Sequence, residues 1–358
     1  MKKKFLLGTV ALASALVLGA CGGSTEKTAD SGSDTGSKAS QEMVLSTFGL
    51  SEDIVKSDVI KPFEDKFGAT VTMDLGNSGD RLTKLANNPN SGIDVIELAQ
   101  ANASDGGDQG LFEKLDEAKL PNLADLTDGA KEVFDSGAGV PYTVNSVGII
   151  YDSEKVGEIT EWADLWSEDL AGKVAIPDIT TTGGPLMMYI ASEYAGVDIT
   201  SDNGEAAFEA LEELKPNIVK TYAKSSDLAN MFAAGEIEVA VVLDFAYDIV
   251  KGDSETMEYL VPTSGTYANY NTMNIVKDAK NKDLAYEYIN YRIGAESQKS
   301  KVAALNEAPV NTTVGLSEDE VGNKTVGEIA DRAKMVDFTF VNEQLNTWVD
   351  QWNRLLNN

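Results

Sequence analysis

The sequence predicts an α/β protein of two lobes, and three observations carry this prediction. Short apolar runs rich in β-branched residues alternate with stretches of helical period along most of the chain. Roughly 315 residues follow a polar segment near the start, which is enough to bury about three quarters of the unfolded surface and to form two lobes. The chain has one cysteine, so it cannot form an internal disulfide and burial must hold the fold together.

Strands are predicted where apolar runs are short or alternate with a period of two. Val71, Met73 and Leu75 alternate in this way. Four short, mainly apolar runs have the length and composition of buried strands: residues 93–98, 147–151, 174–176 and 239–243. Helical stretches lie between the runs, at residues 184–194, 205–214 and 227–234.

The chain ends on a predicted amphipathic helix. Its apolar residues repeat at intervals of four and three: Val341, Leu345, Trp348, Trp352 and Leu355. We expect the two tryptophans to pack in a core and not to form a platform for a ligand.

The first twenty residues have the pattern of a secretory signal. Lys2, Lys3 and Lys4 precede an apolar run, residues 5–18, that is too short to span a membrane as a mature helix. Cys21 follows Leu-Gly-Ala, and this segment resembles the bacterial lipobox, in which the cysteine is acylated and becomes the first mature residue. We therefore expect a signal peptide at residues 1–20 and a lipidated, flexible tether at residues 21–42, which holds the protein at the outer face of the cytoplasmic membrane.

The chain is strongly acidic. It has 29 basic and 58 acidic residues, a net charge of −29, which becomes −32 without the three lysines of the signal. Such a field repels nucleic acid and anionic lipid head groups. The charge therefore predicts no nucleic acid partner and contact with the membrane through the lipid anchor only.

Several kinds of catalytic and metal sites are excluded by composition. The chain has no histidine, and its one cysteine is assigned to the lipid. Ser-His-Asp and Cys-His sites, together with zinc sites built from His or Cys, are therefore excluded, and no phosphate-binding glycine loop occurs. We expect no enzyme activity and no cofactor or metal. A hydrolase built on two carboxylates and a surface adhesin remain as alternatives.

Several segments resemble one family of binding proteins. Trp162-Ala-Asp-Leu-Trp166, followed by Gly172-Lys173, resembles the "W-x-D-L-W … G-K" segment of spermidine/putrescine-type solute-binding proteins of ABC importers. Residues 139–142, 214–217 and 308–311 also match, so the resemblance covers roughly residues 44–311 in order. It implies a type II periplasmic-binding-protein-like fold, a ligand cleft between the lobes, and delivery of a small polar or cationic solute, such as a polyamine, to permease subunits. A monomer is the default expectation.

The resemblance also implies how the lobes divide. We expect the first part of lobe 1 at residues 43–143 and most of lobe 2 at residues 144–243. The second part of lobe 1 is expected at residues 244–305, and a C-terminal segment, residues 306–358, is expected to pack mainly on lobe 2. The crossings between lobes are expected near residues 142–145 and 243–245.

The ligand-binding positions of this family are only partly matched. Asn269 and Asn271 stand where the polyamine binders carry an aromatic residue and an acid, and Thr182 stands where they carry a second acid. Phe48 remains as a ring in place of their tryptophan. Negative charge near the cleft is expected from four acids, of which the first two can also be helix caps: Asp178, Asp244, Glu97 and Glu307.

Two loops resemble those of the iron-, thiamine- and phosphonate-type branches of the same superfamily. Residues 76–82 and 178–185 place small hydroxyl and glycine residues at a helix start, where free N–H groups favour an anion or a polar oxygen. An ordinary helix cap explains the same residues. Thiamine and an aminophosphonate are therefore alternative ligands. The expected ligand-binding residues are Phe48, Ser78, Gly79, Gln100, Asp178, Thr180, Thr181, Thr182, Gly183, Asp244, Tyr247, Asn269, Tyr270 and Asn271.

Overall fold

The computed structural model describes residues 41–356 of the chain. The predicted signal at residues 1–20, the lipid attachment at Cys21 and the tether as far as residue 40 lie outside the described residues. Within residues 41–356, no helix combines the length and the apolar character that crossing a membrane requires.

The strands and helices alternate along the described residues, as the sequence predicts. The strands are β1 Gln41–Thr47, β2 Ala69–Leu75, β3 Val95–Ala99, β4 Val140–Asp152, β5 Val174–Pro177, β6 Ile218–Tyr222, β7 Val239–Leu243, β8 Met257–Leu260, β9 Thr266–Ile275, β10 Ala308–Pro309 and β11 Ala333–Lys334. The helices are α1 Glu52–Ile54, α2 Lys61–Phe67, α3 Ser78–Asn87, α4 Gln100–Asp108, α5 Asp128–Asp135, α6 Ser153–Val156, α7 Gly183–Ala195, α8 Ile199–Asp202, α9 Glu205–Leu214, α10 Ser225–Ala233, α11 Tyr247–Lys251, α12 Lys282–Arg292, α13 Ala295–Ala304, α14 Glu318–Val321, α15 Glu328–Asp331 and α16 Phe338–Leu356. A π-helical turn, Val55–Ile60, joins α1 to α2.

Lobe 1 is built on a sheet with the strand order β2-β1-β3-β9-β4. β1 is parallel to β2 and β3, whereas β9 is antiparallel to β3 and β4. Lobe 2 continues from β4 in the order β4-β7-β5-β6, with β5 parallel to β6 and β7. The α/β fold class is therefore confirmed, and its two lobes extend from opposite edges of the β4–β9 pair.

Two long strands connect the lobes. β4 pairs with β9 from Val140 to Ser146 and then with β7 from Val147 to Tyr151. β4 therefore changes its partner strand between Ser146 and Val147. β9 is the return crossing, because it pairs with β4 at Ala268 and with β3 from Asn271 to Ile275.

The second crossing differs from the expected position near residues 243–245. β7 ends at Leu243 while still paired with Val147 of β4. The chain then stays with lobe 2, where α11 packs in an apolar cluster and β8 pairs with β4 from Ile149 to Asp152. β4 extends past β9 into lobe 2, and β8 pairs with the edge that would otherwise stay open. Residues 244–260 thus pack with lobe 2, and the return lies in β9.

The C-terminal segment contacts both lobes. β10 pairs with Thr143 and Val144 of β4 on the lobe 1 side. α16 packs in the main apolar core of lobe 2, where Trp348 and Trp352 are fully buried, so the prediction that they pack in a core is confirmed. α16 also reaches lobe 1, because Asn342 Nδ2 donates a hydrogen bond of 3.0 Å to the carbonyl of Ala101.

Candidate functional site

The candidate site lies where strands of both lobes end beside the crossing pair. The last pair of β3 with β9 is Ala99 with Asn271, and the last pair of β7 with β4 is Leu243 with Val147. Between these points, residues 143–146 of β4 and 268–271 of β9 pass from one sheet to the other; we call them the interlobe segment. The carboxyl ends of strands in α/β sheets are the usual place for a ligand.

The interlobe segment has a polar face and an apolar face. The register pairs Asn145 with Asn269 and Thr143 with Asn271 on one face, which we call the amide face. The side chains between them point to the opposite face of the strands. Because consecutive residues of a strand point to opposite faces, Tyr270 lies on the other face from Asn269 and Asn271. The sequence predicts all three as ligand-binding residues.

The amide face has a free acceptor. Asn269 Nδ2 donates to Asn145 Oδ1 at 3.1 Å and to Asn271 Oδ1 at 3.3 Å. Asn269 is completely buried, and its Oδ1 has no hydrogen-bond partner among the residues that the structure describes. An unpaired buried acceptor costs about 1–3 kcal/mol, so an N–H group of a ligand would be favourable here.

The opposite face borders a cavity of about 560 Å³. Val144, Ala268 and Tyr270 line one side of this cavity, and residues 309–335 of the C-terminal segment supply most of the remainder. Burial raises the pKa of the Tyr270 phenol to about 12. The structure thus places Tyr270 behind the crossing strands and not beside Asn269.

In lobe 1, three predicted residues lie just after β1 or at the start of α3: Phe48, Ser78 and Gly79. The guanidinium carbon of Arg81 lies 4.9 Å from the centre of the Phe48 ring. Ser78 Oγ accepts a hydrogen bond of 3.0 Å from the Ala99 N–H, which ties α3 to the end of β3. Gly79 has open space around it, because an added Cβ would meet only Asn102 Nδ2, at 4.0 Å.

Next to this group, lobe 1 buries charged side chains in a network. Glu97 accepts hydrogen bonds from Thr47 Oγ1 at 2.5 Å and from Tyr288 at 2.9 Å. Arg292 binds Glu307 through two hydrogen bonds of 2.7 and 2.8 Å. Burial raises the pKa of the Glu307 carboxyl, and Arg292 opposes this effect. Both acids thus have protein partners, and Glu307 in particular is already paired with a cation.

In lobe 2, the loop before α7 makes mostly local hydrogen bonds. Asp178 Oδ1 accepts from the N–H of Thr180 at 3.0 Å and from its hydroxyl at 2.6 Å. The Thr181 hydroxyl donates to the Asp178 carbonyl at 2.7 Å. Thr182, half-buried, precedes α7 without capping it through its side chain. Of the three threonines, Thr182 therefore has the hydroxyl best able to bind a ligand.

Asp244 has structural partners. It is buried, and its carboxylate accepts hydrogen bonds from the Thr325 hydroxyl at 2.5 Å, the Thr325 N–H at 3.0 Å and the Phe245 N–H at 2.8 Å. Burial raises the pKa of Asp244 to about 7, against these hydrogen bonds and one from the Ser146 N–H. Its acceptor sites are thus largely used within the protein.

Tyr247 lies apart from the amide face. Its ring packs 5.6 Å from that of Tyr259, beside the apolar cluster that contains Ile150 and Val242. Ile150 and Val144 lie on the same face of β4. The structure therefore does not bring Tyr247 together with Asn269.

Gln100 and Asp244 occupy equivalent positions, each directly after a strand that ends beside the crossing pair. The sequence did not reveal this equivalence. Gln100 follows β3, and its Oε1 accepts from the Tyr270 N–H of β9 at 3.4 Å. Asp244 follows β7 and accepts from the Ser146 N–H of β4. Each side chain thus binds the crossing strand one residue beyond the last strand pair, where the backbone ladder ends.

Sequence reasoning also missed Arg81 and Asn145. Arg81 lies in the first turn of α3, where the helix dipole disfavours a cation, and this unusual position was the available signal. Asn145 carried no such signal, because only the strand register pairs it with Asn269.

Comparison with known proteins agrees with this architecture. A family profile of bacterial extracellular solute-binding proteins matches residues 58–326, more than half of the chain. Spermidine/putrescine-binding periplasmic protein 1 of Haemophilus influenzae is 27% identical over 266 residues, which cover 72% of this chain and 70% of that protein. The relatives are substrate-binding proteins of ABC transporters and not enzymes.

Solved structures give the same result for the fold. The crystal structure of an ABC transporter from Clostridium perfringens is 51% identical, with a TM-score of 0.80 over 88% of this chain and 99% of that one. A spermidine/putrescine substrate-binding protein from Streptococcus pneumoniae, at 19% identity, has a TM-score of 0.71 over 87% of this chain and 99% of that one. The chain therefore belongs to the bacterial extracellular solute-binding proteins of ABC transporters, in the polyamine-type family that its sequence resembles.

Proposed function

We propose that this protein is a lipid-anchored binding subunit that captures a small polar or cationic organic solute outside the cell and delivers it to permease subunits. The observation that carries the proposal is the unpaired, fully buried Oδ1 of Asn269 on the amide face of the crossing strands. A ligand ammonium or amine can donate to this oxygen. A polyamine such as spermidine or putrescine is the family ligand, and thiamine or an aminophosphonate are the alternatives.

The crossing strands support a hinge mechanism. The two lobes are connected through β4 and β9, so a small change of backbone angles in the interlobe segment rotates one sheet relative to the other. A solute that contacts both lobes stabilises the closed state, because it has more contacts there than in the open state. Gln100 and Asp244 would keep the crossing strands attached to their sheets during this motion.

The lipid anchor is a separate part of the proposal and has its own test. Cys21 is the only cysteine, so a palmitate label incorporated by cells should be found on this residue. Cys21→Ser should abolish the label and release the protein from the membrane fraction, while solute binding is unchanged. An intact leader in the mature protein would contradict the anchor.

Solute binding is tested by thermal shift and calorimetry with putrescine, spermidine, thiamine and 2-aminoethylphosphonate. A ligand at about 100 times its dissociation constant adds about 2.7 kcal/mol to the free energy of unfolding, which is easily detected as a rise in melting temperature. If no small solute changes the melting temperature, the proposed function is wrong.

The place of binding is tested by a pair of variants on β9. Asn269→Leu removes the acceptor on the amide face. It should lower the affinity for the tightest solute by about tenfold or more. Thr272→Val changes a fully buried residue of the same strand that lies outside the amide face, and it should leave affinity unchanged. Equal affinities of the two variants would show that the solute does not bind at Asn269.

A further inference from the structure

Within residues 41–356, no carboxylate binds the buried positive charge of Arg81 directly. Its side chain is 2% exposed; Nε donates to the Gly76 carbonyl at 2.9 Å and Nη1 to the Ser46 carbonyl at 3.0 Å. Nη2 has no hydrogen-bond partner. Burial lowers the pKa of Arg81 to about 10, which leaves the guanidinium charged at neutral pH. Glu97 is the acid whose charge most raises the pKa of Arg81, but its own hydrogen bonds are with Thr47 and Tyr288.

The Arg81 side chain folds back onto the segment that leads into α3, because its Nε donates to the Gly76 carbonyl. An added Cβ on Gly76, two residues before the helix, would be 3.2 Å from Arg81 Cγ. Asn77 makes no side-chain cap, and the first helical hydrogen bond runs from the Arg81 N–H to the Asn77 carbonyl. The N–H groups of Ser78 and Gly79 therefore have no acceptor within the helix. The one acid of this turn, Asp80, is exposed to solvent.

We propose that Arg81 and the N–H groups of Ser78 and Gly79 form a subsite for an acidic oxygen group of the solute, with the Phe48 ring at its edge. Binding there would pair the buried charge and fill the free N–H groups of the helix together. The natural solute is then a small amine that also carries a carboxylate, and not a diamine. This inference rests on the proposed function, because it assigns the second end of a solute whose amine binds Asn269.

The net charge of the protein fits this class of solute. At −29, the overall field opposes the approach of an anion. An aminocarboxylate is neutral overall, so this field neither repels it nor removes its ability to bind a buried cation. A diamine would instead be attracted to the surface and would meet a buried guanidinium of the same sign next to Phe48.

The first test compares matched solutes on the full wild-type chain by calorimetry. The probes are ω-aminocarboxylates of increasing length, beginning with γ-aminobutyrate, their amides, and the diamines of equal length, beginning with putrescine. We expect at least one aminocarboxylate to bind about tenfold or more tightly than both its amide and its diamine. Binding of diamines without any aminocarboxylate would overturn the subsite and leave the proposed function intact. Binding of none of these amines would also overturn the subsite, while the proposed function would still be decided by the wider thermal-shift panel.

The second test uses Arg81→Gln, with Lys84→Gln as the control. Lys84 lies one turn further along α3, is 56% exposed and pairs with Asp74 at the surface. Arg81→Gln should weaken the aminocarboxylate by about tenfold or more and leave its amide unaffected, whereas Lys84→Gln should change neither. If the aminocarboxylate and its amide lose affinity equally, Arg81 has only a structural role, in binding the Gly76 and Ser46 carbonyls. That result would overturn the subsite. If Arg81→Gln does not fold, the comparison of solutes on the wild type decides.

Discussion

The two lobes present different chemistry to the candidate site. Lobe 1 buries Arg81, Glu97 and Arg292, whereas the loop of lobe 2 before α7 carries three threonines, and two of their hydroxyls bind Asp178. The buried carboxylate of lobe 2 at this point, Asp244, is occupied by N–H and hydroxyl groups of the protein. We propose that lobe 1 selects the charge of the solute, while lobe 2 closes over it with neutral hydrogen bonds.

The largest effect is expected from breaking the buried ion pair of lobe 1. Arg292→Met leaves Glu307 without its cation and should lower the free energy of unfolding by about 3–5 kcal/mol. Adding Glu307→Leu should restore most of the loss, because the double variant removes both members of this ion pair. Urea unfolding measures each change.

The control for this pair is an ion pair at the surface. Lys334 is 45% exposed and binds Glu193 at 2.6 Å, so Lys334→Met should cost less than about 1 kcal/mol. If Arg292→Met costs no more than Lys334→Met, the lobe 1 network does not stabilise the fold as described.

A second comparison uses the glycines at the helix starts of the two lobes. In Gly184→Ala, the new Cβ would lie 2.4 Å from the Asp178 carbonyl oxygen and from Ile179 Cα, so the backbone must move. We expect a loss of about 1–3 kcal/mol in the free energy of unfolding. Gly79→Ala has open space and should change stability by less than about 0.5 kcal/mol.

Thermal unfolding of the two alanine variants measures this difference. Similar losses would mean that the start of α3 is as tightly packed as the start of α7. The open space assigned to the Arg81 subsite would then be absent.

A further effect is expected as a pH dependence in lobe 2. Burial raises the pKa of Asp244 from 3.8 to about 7. Between these values, the folded protein holds a proton that the unfolded chain releases. Its contribution to stability is therefore present in full below about pH 4 and is lost as the pH rises to about 7, with a slope of at most about 1.4 kcal/mol per pH unit.

Asp244→Asn isolates this contribution. Between about pH 5 and pH 7, its free energy of unfolding should fall less steeply with pH than that of the wild type. Parallel curves for the two proteins would show that Asp244 is ionised in the fold at all of these pH values.

Much of the fold can be predicted from the sequence because most strands and helices pack within a single lobe. β7 is a run of five apolar residues buried in one sheet, and α9 has a single apolar stripe; both have the predicted bounds. β9 was missed because it touches both lobes. Its buried residues include Asn269, Thr272 and Asn274, which do not form an apolar strand pattern.

The site was less predictable because the strand register, and not the residue type alone, decides which side chains belong to it. Strand alternation separates Tyr270 from its neighbours Asn269 and Asn271. Asp244 has the residue type of a ligand acid, but the gap beyond β7 makes it an acceptor for Ser146 and Thr325. These outcomes depend on contacts between residues far apart in the sequence, which local patterns do not contain.

The central claim is that the solute lies between the lobes on the amide face. It is tested most directly by a crystal structure of the protein with the tightest solute from the calorimetric panel. The account predicts the amine of the solute within hydrogen-bond distance of Asn269 Oδ1 and its acidic group at Arg81. A solute bound instead behind the crossing strands, against Val144 and Tyr270, would contradict it.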